Sequence, residues 1–567
     1  MIRSIFLLVL ITCFYSNLAK AQTPVADLTQ LEVFSGGGLV IGGGAFERHG
    51  FMVMDQDDNL VIVGNYTNNN SQNKRPIIYQ GDTIYSDMAY REIVLIQLDK
   101  SGTIIWNKRI RSTYLIQVID VVSDQGNNTN IVFENYQKCV FEGLEFDPGQ
   151  YILQIDQAGA YKWHNKISGM RIESLTRDCA DNIIVSGNTT WHSTVPLDTL
   201  IFGTDTIVVY QQASDSVKVG SQIFPPVGER NLILLKFDAS GDFLWQKQFP
   251  GRFQTTVISA TYSEEIVLAG MFLDSVYIDS IFLSPVVPGN QHRSFCMKAD
   301  AFGAVLWAHA YFDGSFTQDI QMAPDGSIYV GLSYYLTTVF DNNQFQSYGV
   351  HDILLSKLSN DGFFEWASSV GGPNSDLRCV LSVNKKGDVA ISGYSFNSGE
   401  QVRKFDKTGS VNWAIPDGPG AGNQGSAECV FDRHGDMWQI GWFNGDFELG
   451  PYNYSIWGGP IYTYLSKYVD QDTSGTAPEC KMVSNAPLIQ PRQFGILPNP
   501  ASDWIHFVTT SKITKIQIYS ALGDPVIQCT GTCDQINLGS LHDGIYFAVA
   551  GLDSGAIVTA PFLIFRG

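Results

Sequence analysis

Leu232-Ile233-Leu234-Leu235-Lys236-Phe237-Asp238-Ala239-Ser240-Gly241-Asp242-Phe243-Leu244-Trp245 decides the architecture of this chain. A run of strand length and strand composition ends at Asp-x-x-Gly, and an indole follows four residues after the glycine. Aspartate accepts backbone hydrogen bonds in a tight turn, and glycine takes the positive φ that such a turn needs. The stretch therefore predicts a hairpin whose second strand carries tryptophan onto a face that packs against a neighbouring sheet. The same spacing returns as Asp99…Gly102…Trp106, Asp156…Gly159…Trp163, Asp300…Gly303…Trp307 and Asp406…Gly409…Trp413. A further copy has Ser359 for the aspartate, then Gly362 and Trp366. The constant glycine-to-tryptophan offset marks an internal repeat.

A second motif alternates with the first: a polar turn, then a short apolar strand closing on glycine. It reads Asn59–Gly64, Asn182–Gly187, Glu265–Gly270, Ser327–Gly331, Asp388–Gly393 and Asp436–Gly441, with a degraded copy at Asn130–Glu134. Seven copies of one motif against six of the other predict a repeat split between the ends of the region. Tyr464–Tyr468 resembles the strand before Asp-x-x-Gly, and Leu39-Val40-Ile41-Gly42-Gly43 is expected to supply the missing outer piece. Repeats of this length with about four strands each predict a β-propeller. The expectation is an all-β chain with seven blades over residues 22–470, closed by the N-terminal strand, with an insertion near 189–230. A β-helix or a string of separate sandwiches is the competing architecture, and neither needs to reunite its ends.

Composition agrees with many short strands: 54 glycines, 12% aromatic residues and only 16% charged ones. Residues 1–21 read as a secretory signal, with Arg3, an apolar run Ile5–Phe14 and the small-x-small site Ala19-Lys20-Ala21. That run is short of the ~20 residues that span a bilayer, and no later segment is apolar enough to cross a membrane. Removing Arg3 and Lys20 from 36 basic residues leaves 34 against 56 acidic ones, a net charge of −22. Such a field repels phosphate backbones and argues against nucleic-acid partners. The eight remaining cysteines show no CxxC and no paired Cys/His spacing, so a zinc site is not expected. Cys529 and Cys533, flanking Thr530-Gly531-Thr532, are the best candidate disulfide, with buried free thiols as the alternative.

The repeat resembles the bacterial β-propeller repeat family of large secreted proteins, most closely at Gly371-Gly372-Pro373-Asn374-Ser375-Asp376 leading into Lys386-Gly387-Asp388-Val389. Residues 471–492, rich in proline and small polar residues, read as a linker. Residues 493–567 then carry Ile496-Leu497-Pro498-Asn499-Pro500-Ala501-Ser502-Asp503, Lys515–Gly523, Ile536–Leu541 and Gly544-Ile545-Tyr546-Phe547. That order resembles the C-terminal sorting domain of the type IX secretion system of Bacteroidetes, with Pro498, Asn499, Pro500, Gly523, Leu541, Gly544 and Tyr546 as its motif residues. The resemblance implies a small immunoglobulin-like β-sandwich and an outer-membrane translocon as partner. It also implies Sec-dependent passage through the periplasm to the cell surface or the medium. The end, Pro561–Gly567, is poorer in lysine than family ends usually are.

Chemistry is sparse. The nine histidines have no metal-ligand spacing, and there is no HExxH, Gly-x-Ser-x-Gly, Walker loop or dinucleotide fingerprint. No catalytic residue and no cofactor is assigned. Calcium is the one candidate ion, at Asp55-Gln56-Asp57-Asp58-Asn59 or Asp470-Gln471-Asp472-Thr473-Ser474-Gly475, although neither has EF-hand spacing and both read first as solvated turns. Asp-Thr/Ser-apolar tripeptides such as Asp198-Thr199-Leu200 and Asp279-Ser280-Ile281 resemble an O-glycosylation sequon, against the plainer reading of common turn sequences. The leading functional expectation is a non-catalytic binding or scaffold protein for a glycan or a protein. The rivals are an extracellular hydrolase or lyase with its site at the central channel, and a structural component of the cell surface.

Overall fold

A computed structural model describes residues 27–36, 38–40, 50–67, 77–79, 82–84, 92–189, 191–202, 205–214, 217–219, 222–224, 230–260, 262–284, 292–313, 315–340, 343–372, 376, 378–394, 400–416, 423–444, 447–449, 452–454, 462–469, 494–497, 504–509, 512–520, 525–530, 535–542, 544–552 and 557–564. Among them there are strands and turns and no helix. The chain divides into two compact units, Met1–Met482 and Val483–Gly567.

The larger unit contains, among the described residues, seven antiparallel sheets each built on four strands, three of them extended by further strands to six or seven, besides separate two-stranded hairpins. The first runs Gly50–Met54, Leu60–Thr67, Glu92–Leu98, Ile104–Ser112, and the second Ile116–Ser123, Thr129–Asn135, Gly149–Ile155, Tyr161–Ser168. The third is Met170–Arg177, Ile183–Thr189, Leu232–Phe237, Phe243–Phe249, and the fourth Phe253–Ser259, Ile266–Phe272, Arg293–Ala299, Val305–Asp313. The fifth is Ser315–Met322, Ile328–Phe340, Asn343–Leu358, Phe364–Val370, and the sixth Arg378–Val383, Val389–Tyr394, Glu400–Phe405, Val411–Pro416. In the seventh, Asn423–Phe431, Met437–Asn444 and Tyr462–Val469 are completed by Asp27–Gly36 from the other end of the unit. Each inner strand packs beside the inner strand of the next sheet, and the inner strand of the seventh packs beside that of the first.

The Asp-x-x-Gly turns follow the chemistry expected of them. In the third sheet, Asp238 Oδ1 accepts the N–H groups of Ser240 and Asp242, both at 2.9 Å, and Gly241 sits at φ 86°. Asp99, Asp156, Asp300 and Asp406 repeat the pattern. Ser359 keeps half of it, its hydroxyl accepting from Phe363 N. A second device ties the two turn sets of one sheet together. Two residues before the turn, Lys236 reaches Asp178 at 2.8 Å with both side chains buried, while Gln97 and Gln154 reach Asp55 and Asp124 from the matching position.

Apolar side chains fill the spaces between consecutive sheets. Met52, Ile62 and Ile96 of the first sheet pack with Trp438, Ile440 and Leu465 of the seventh, and Val132 and Ile152 of the second with Val185, Ile233 and Leu235 of the third. Burial of this kind contributes ~25 cal/mol per Å² of apolar surface. Small hairpins inserted between the second and third strands extend the outer edge of the preceding sheet. Cys139 and Val140 pair with Ser112 and Arg111, Val219 and Lys218 with Ile167 and Ser168, and Ile77 and Ile78 with Gly36 and Ser35. Strand addition of this type covers main-chain groups that an edge would expose. The 189–230 insertion forms one hairpin, Trp191–Phe202 with Asp205–Ser214, and a second, Val217–Val219 with Gln222–Phe224.

One expectation shifts by several residues. The segment pairing with Tyr462–Val469 is Asp27–Gly36, from Asp27 opposite Val469 to Phe34 opposite Thr463 with one bulge between Leu28 and Gln30. Leu39 and Val40 instead pair with Tyr66 and Asn65 of the first sheet. The physical reason is length: seven paired positions satisfy the whole edge of Tyr462–Val469, which the short Leu39–Gly43 stretch cannot do.

In the smaller unit, one sheet orders Phe494–Leu497, Trp504–Thr509 and Gln535–Asn537, and the other Pro525–Thr530, Ile513–Ser520, Gly544–Leu552 and Ile557–Ile564. Ile505 and Ile536 of the first share one core with Ile516, Ile518, Ala548 and Ile564 of the second.

Candidate functional site

Five of the six repeat tryptophans join one sheet to the next. Five indole N–H groups donate to the carbonyl of the residue after the turn's first position in the next sheet. Trp106 bonds Gln157 at 2.9 Å, Trp163 bonds Ala239 at 3.3 Å and Trp245 bonds Ala301 at 3.1 Å. Trp307 bonds Asn360 at 3.2 Å and Trp366 bonds Lys407 at 3.1 Å. The turn glycine lies against the ring, so a Cβ on Gly241 would stand 2.7 Å from Trp163. Trp413 is buried, and its indole nitrogen has no partner among the described residues. None of the six lines the central cavity described below.

The inner strands of all seven sheets enclose a cavity of ≈ 390 Å³. Its wall mixes apolar groups such as Met52, Met54 and Val380 with Asp120, Asp319, Glu428 and Gln321. Its rim includes Gln56, Gln125, Cys179, Lys385 and Arg433, each one position after the aspartate or asparagine that opens an inner turn, together with Tyr262. The repeated turns thus place variable side chains at equivalent points around one opening.

The acidic groups of the wall are engaged by neighbouring backbone. Asp120 Oδ2 accepts from Leu175 N at 2.7 Å and Ser174 Oγ at 3.0 Å, and its Oδ1 from Val121 N. Asp319 accepts from Leu381 N and Ile320 N, both at 2.8 Å. Glu428 accepts from Met52 N at 3.2 Å, which links the seventh sheet to the first. Beside the wall, Glu173 accepts from the N–H and hydroxyl of Thr256; burial pushes its carboxyl above the ordinary range, and the Thr256 bonds oppose that only in part. On the rim, burial and then Asp436 raise the Asp432 carboxyl, with Lys467 at 3.3 Å opposing.

The cations divide into two kinds. Arg177 is held by Ser123 O and Asp181, and Arg433 clasps Asp58 through its backbone N–H, Nε and Nη2 at 2.9, 3.1 and 2.9 Å. Burial alone would raise the Asp58 carboxyl, but the Arg433 bonds outweigh it and hold it below the ordinary value. Lys385, half-buried on the rim, has no hydrogen-bond or ion-pair partner among the described residues.

The carboxylates of Asp55-Gln56-Asp57-Asp58-Asn59 face separate partners. Asp55 takes four N–H donors, from Asp57, the backbone and side chain of Asn59, and Gln97; Asp57 accepts from Asn127 and Asp58 from Arg433. Among the described residues no group of three or more His, Cys, Asp or Glu side chains is placed to hold a metal ion. The second calcium candidate, Asp470–Gly475, lies outside the described residues. So do Pro498, Asn499, Pro500 and Gly523, while Leu541 packs against the core of the smaller unit and the Tyr546 hydroxyl donates to His542 O at 3.0 Å. Gly544 opens the strand Gly544–Leu552. Cys139, Cys296, Cys379 and Cys429 are free and buried, whereas Cys179 and Cys529 are each in a disulfide.

No curated protein matches the chain. Among solved structures, the Dos1 propeller is similar at 8% identity and TM-score 0.35, over 80% of this chain and 96% of that one. Polysaccharide lyase Uly1 is similar at 8% identity and TM-score 0.37, over 78% and 99%. PorZ, a surface component of the type IX secretion system of Porphyromonas gingivalis, is similar at 10% identity and TM-score 0.16, over 88% and 98%. Residues 495–560 match the secretion system C-terminal sorting domain family. No described helix is long and apolar enough to cross a membrane. The chain carries, at its C-terminal end, a sorting tail of the type IX secretion system, which implies export to the cell surface or into the medium.

Proposed function

We propose that this is an exported seven-bladed propeller that binds a ligand in its central cavity without transforming it. Residues 22–470 form the propeller behind a signal peptide at 1–21, residues 471–492 the linker, and residues 493–567 an immunoglobulin-like sorting domain read by the outer-membrane translocon. The cyclic contact of the seven inner strands and the pairing of Asp27–Gly36 with Tyr462–Val469 support the blade count. The ligand is a glycan or a protein, held at the opening where the second positions of the inner turns converge.

The observation that carries the binding reading is the state of the wall carboxylates. Hydrolysis of a glycoside needs one carboxyl free to give a proton and a second free to activate water or attack. Asp120, Asp319 and Glu428 instead satisfy backbone N–H groups of adjacent strands. A glycan array run beside a broad hydrolase and lyase screen on the mature protein tests this. Retention of an intact glycan is the expected result, and turnover abolished by Glu428→Gln or Asp319→Asn would replace binding with catalysis. Export is tested separately: removing residues 493–567 should leave the protein in the periplasm of a host with a type IX system.

A further inference from the structure

We propose that the rim of the cavity, at Lys385 and Arg433, binds the carboxylate of an acidic sugar. This deepens the reading of the cavity as the ligand site and rests on it. The chain carries a net charge of −20, so cations at one opening run against its overall field. Most of the described cations near the cavity are neutralised: Arg177 by Asp181, Lys467 by Asp432, Lys236 by Asp178. Lys385 is not. Its side chain lines the cavity half-buried with no hydrogen bond or close ion pair among the described residues; Asp58 and Asp432 act on it only at longer range, and the Arg433 guanidinium on the adjacent turn opposes them.

An ammonium in that position loses hydration and is only partly compensated by the chain, a shortfall that an incoming anion makes good. Burial, and then the neighbouring Arg433 charge, push Lys385 below the ordinary lysine range, and Asp58 and Asp432 restore only part of it. Arg433 is itself paired with Asp58, so it contributes a fixed neighbour to Lys385 and not a second uncompensated cation. Elsewhere on the lining of the same cavity, Gln56 and Tyr262 offer amide and aromatic surfaces that suit sugar hydroxyls and ring faces. A cavity of ≈ 390 Å³ admits one or two sugar rings rather than a folded partner.

The test titrates trigalacturonate and its trimethyl ester, which is the same trisaccharide without charge, into the mature protein and into Lys385→Gln. The acid should bind at least tenfold more tightly than the ester, and Lys385→Gln should abolish that preference while leaving the melting temperature in place, since Lys385 supports no described contact. Lys385→Arg should retain the preference. Equal affinity for acid and ester, or an unchanged preference in Lys385→Gln, overturns the carboxylate assignment but leaves the cavity as a sugar site. Binding of neither probe at millimolar concentration overturns it as well, and a hit of another chemistry on the glycan array then decides the broader reading.

Discussion

Trp106 gives its indole proton to the carbonyl of Gln157 at 2.9 Å, a bond that crosses 51 residues of sequence and one gap between sheets. The partner turn places its glycine against the ring, so the tryptophan of one repeat and the glycine of the next form a single joint. Each joint holds a neighbour as well as its own sheet, and loss of one is felt across the unit.

Trp245→Phe should cost about 1 kcal/mol through the lost bond to Ala301, and Trp245→Ala about 3 kcal/mol. Gly303→Ala should also destabilise, because Gly303 holds φ 79° and an added Cβ would stand 3.0 Å from Trp245. Guanidinium denaturation of both single variants and the double variant forms the check. The double variant should lose less than the sum, since removing the indole relieves the alanine clash.

The buried Lys236–Asp178 pair separates charge from hydrogen bonding. Lys236→Met leaves Asp178 buried without its cation and should cost about 3 kcal/mol. Lys236→Gln should cost clearly less, because Gln97 and Gln154 make the same reach to Asp55 and Asp124. Thermal melts of the two variants side by side decide it, and equal losses would count against the hydrogen-bond explanation.

The Arg433–Asp58 clasp, between the seventh and first sheets, carries a defined pH dependence. The folded Asp58 carboxyl lies below its ordinary value, so its contribution is present above the unfolded carboxylate pKa of ~3.9 and is lost as pH falls through the folded pKa. With Arg433 partly exposed, Asp58→Asn should cost about 1 kcal/mol at neutral pH. Urea titrations should show the variant and the parent converging below about pH 4.

Thiol chemistry should follow burial. Burial pushes the Cys139 and Cys429 thiols up to about 12, so native protein should resist iodoacetamide at pH 8. Peptides bearing Cys139, Cys296, Cys379 and Cys429 should label once the chain is unfolded, and those bearing Cys179 and Cys529 only after reduction. Mass spectrometry of the digests reads both steps.

The hairpin repeat was legible because its physics is local: a carboxylate beside two N–H groups and a glycine at positive φ need only five residues to declare themselves. Trp163 was expected to pack between sheets, but its bond to Ala239 was not, since the acceptor is a main-chain atom far along the sequence. For the same reason nothing in Cys139-Val140 announced that it would extend the edge at Arg111 and Ser112. Leu39–Gly43 precedes Asp55 by the spacing at which Val370–Gly372 precedes Asn384, which points to it as the outer strand, while Asp27–Gly36 has neither a tryptophan nor the turn glycine of the other outer strands. The rim residues Gln56, Gln125, Lys385 and Arg433 each follow the first residue of an inner turn, but no single turn shows that these positions meet at one opening, since that depends on how the seven sheets are arranged.

The partnership of Asp27–Gly36 with Tyr462–Val469 also sets a timetable. At ~5–20 residues per second, roughly 20–90 s separate the making of the first strand from that of its mate. Until then the outer strand of the seventh sheet exists without the third strand that it pairs with. A chain built this way can fold its first six sheets from contiguous sequence, but it completes the seventh only when Tyr462–Val469 arrives to hold the strand made first.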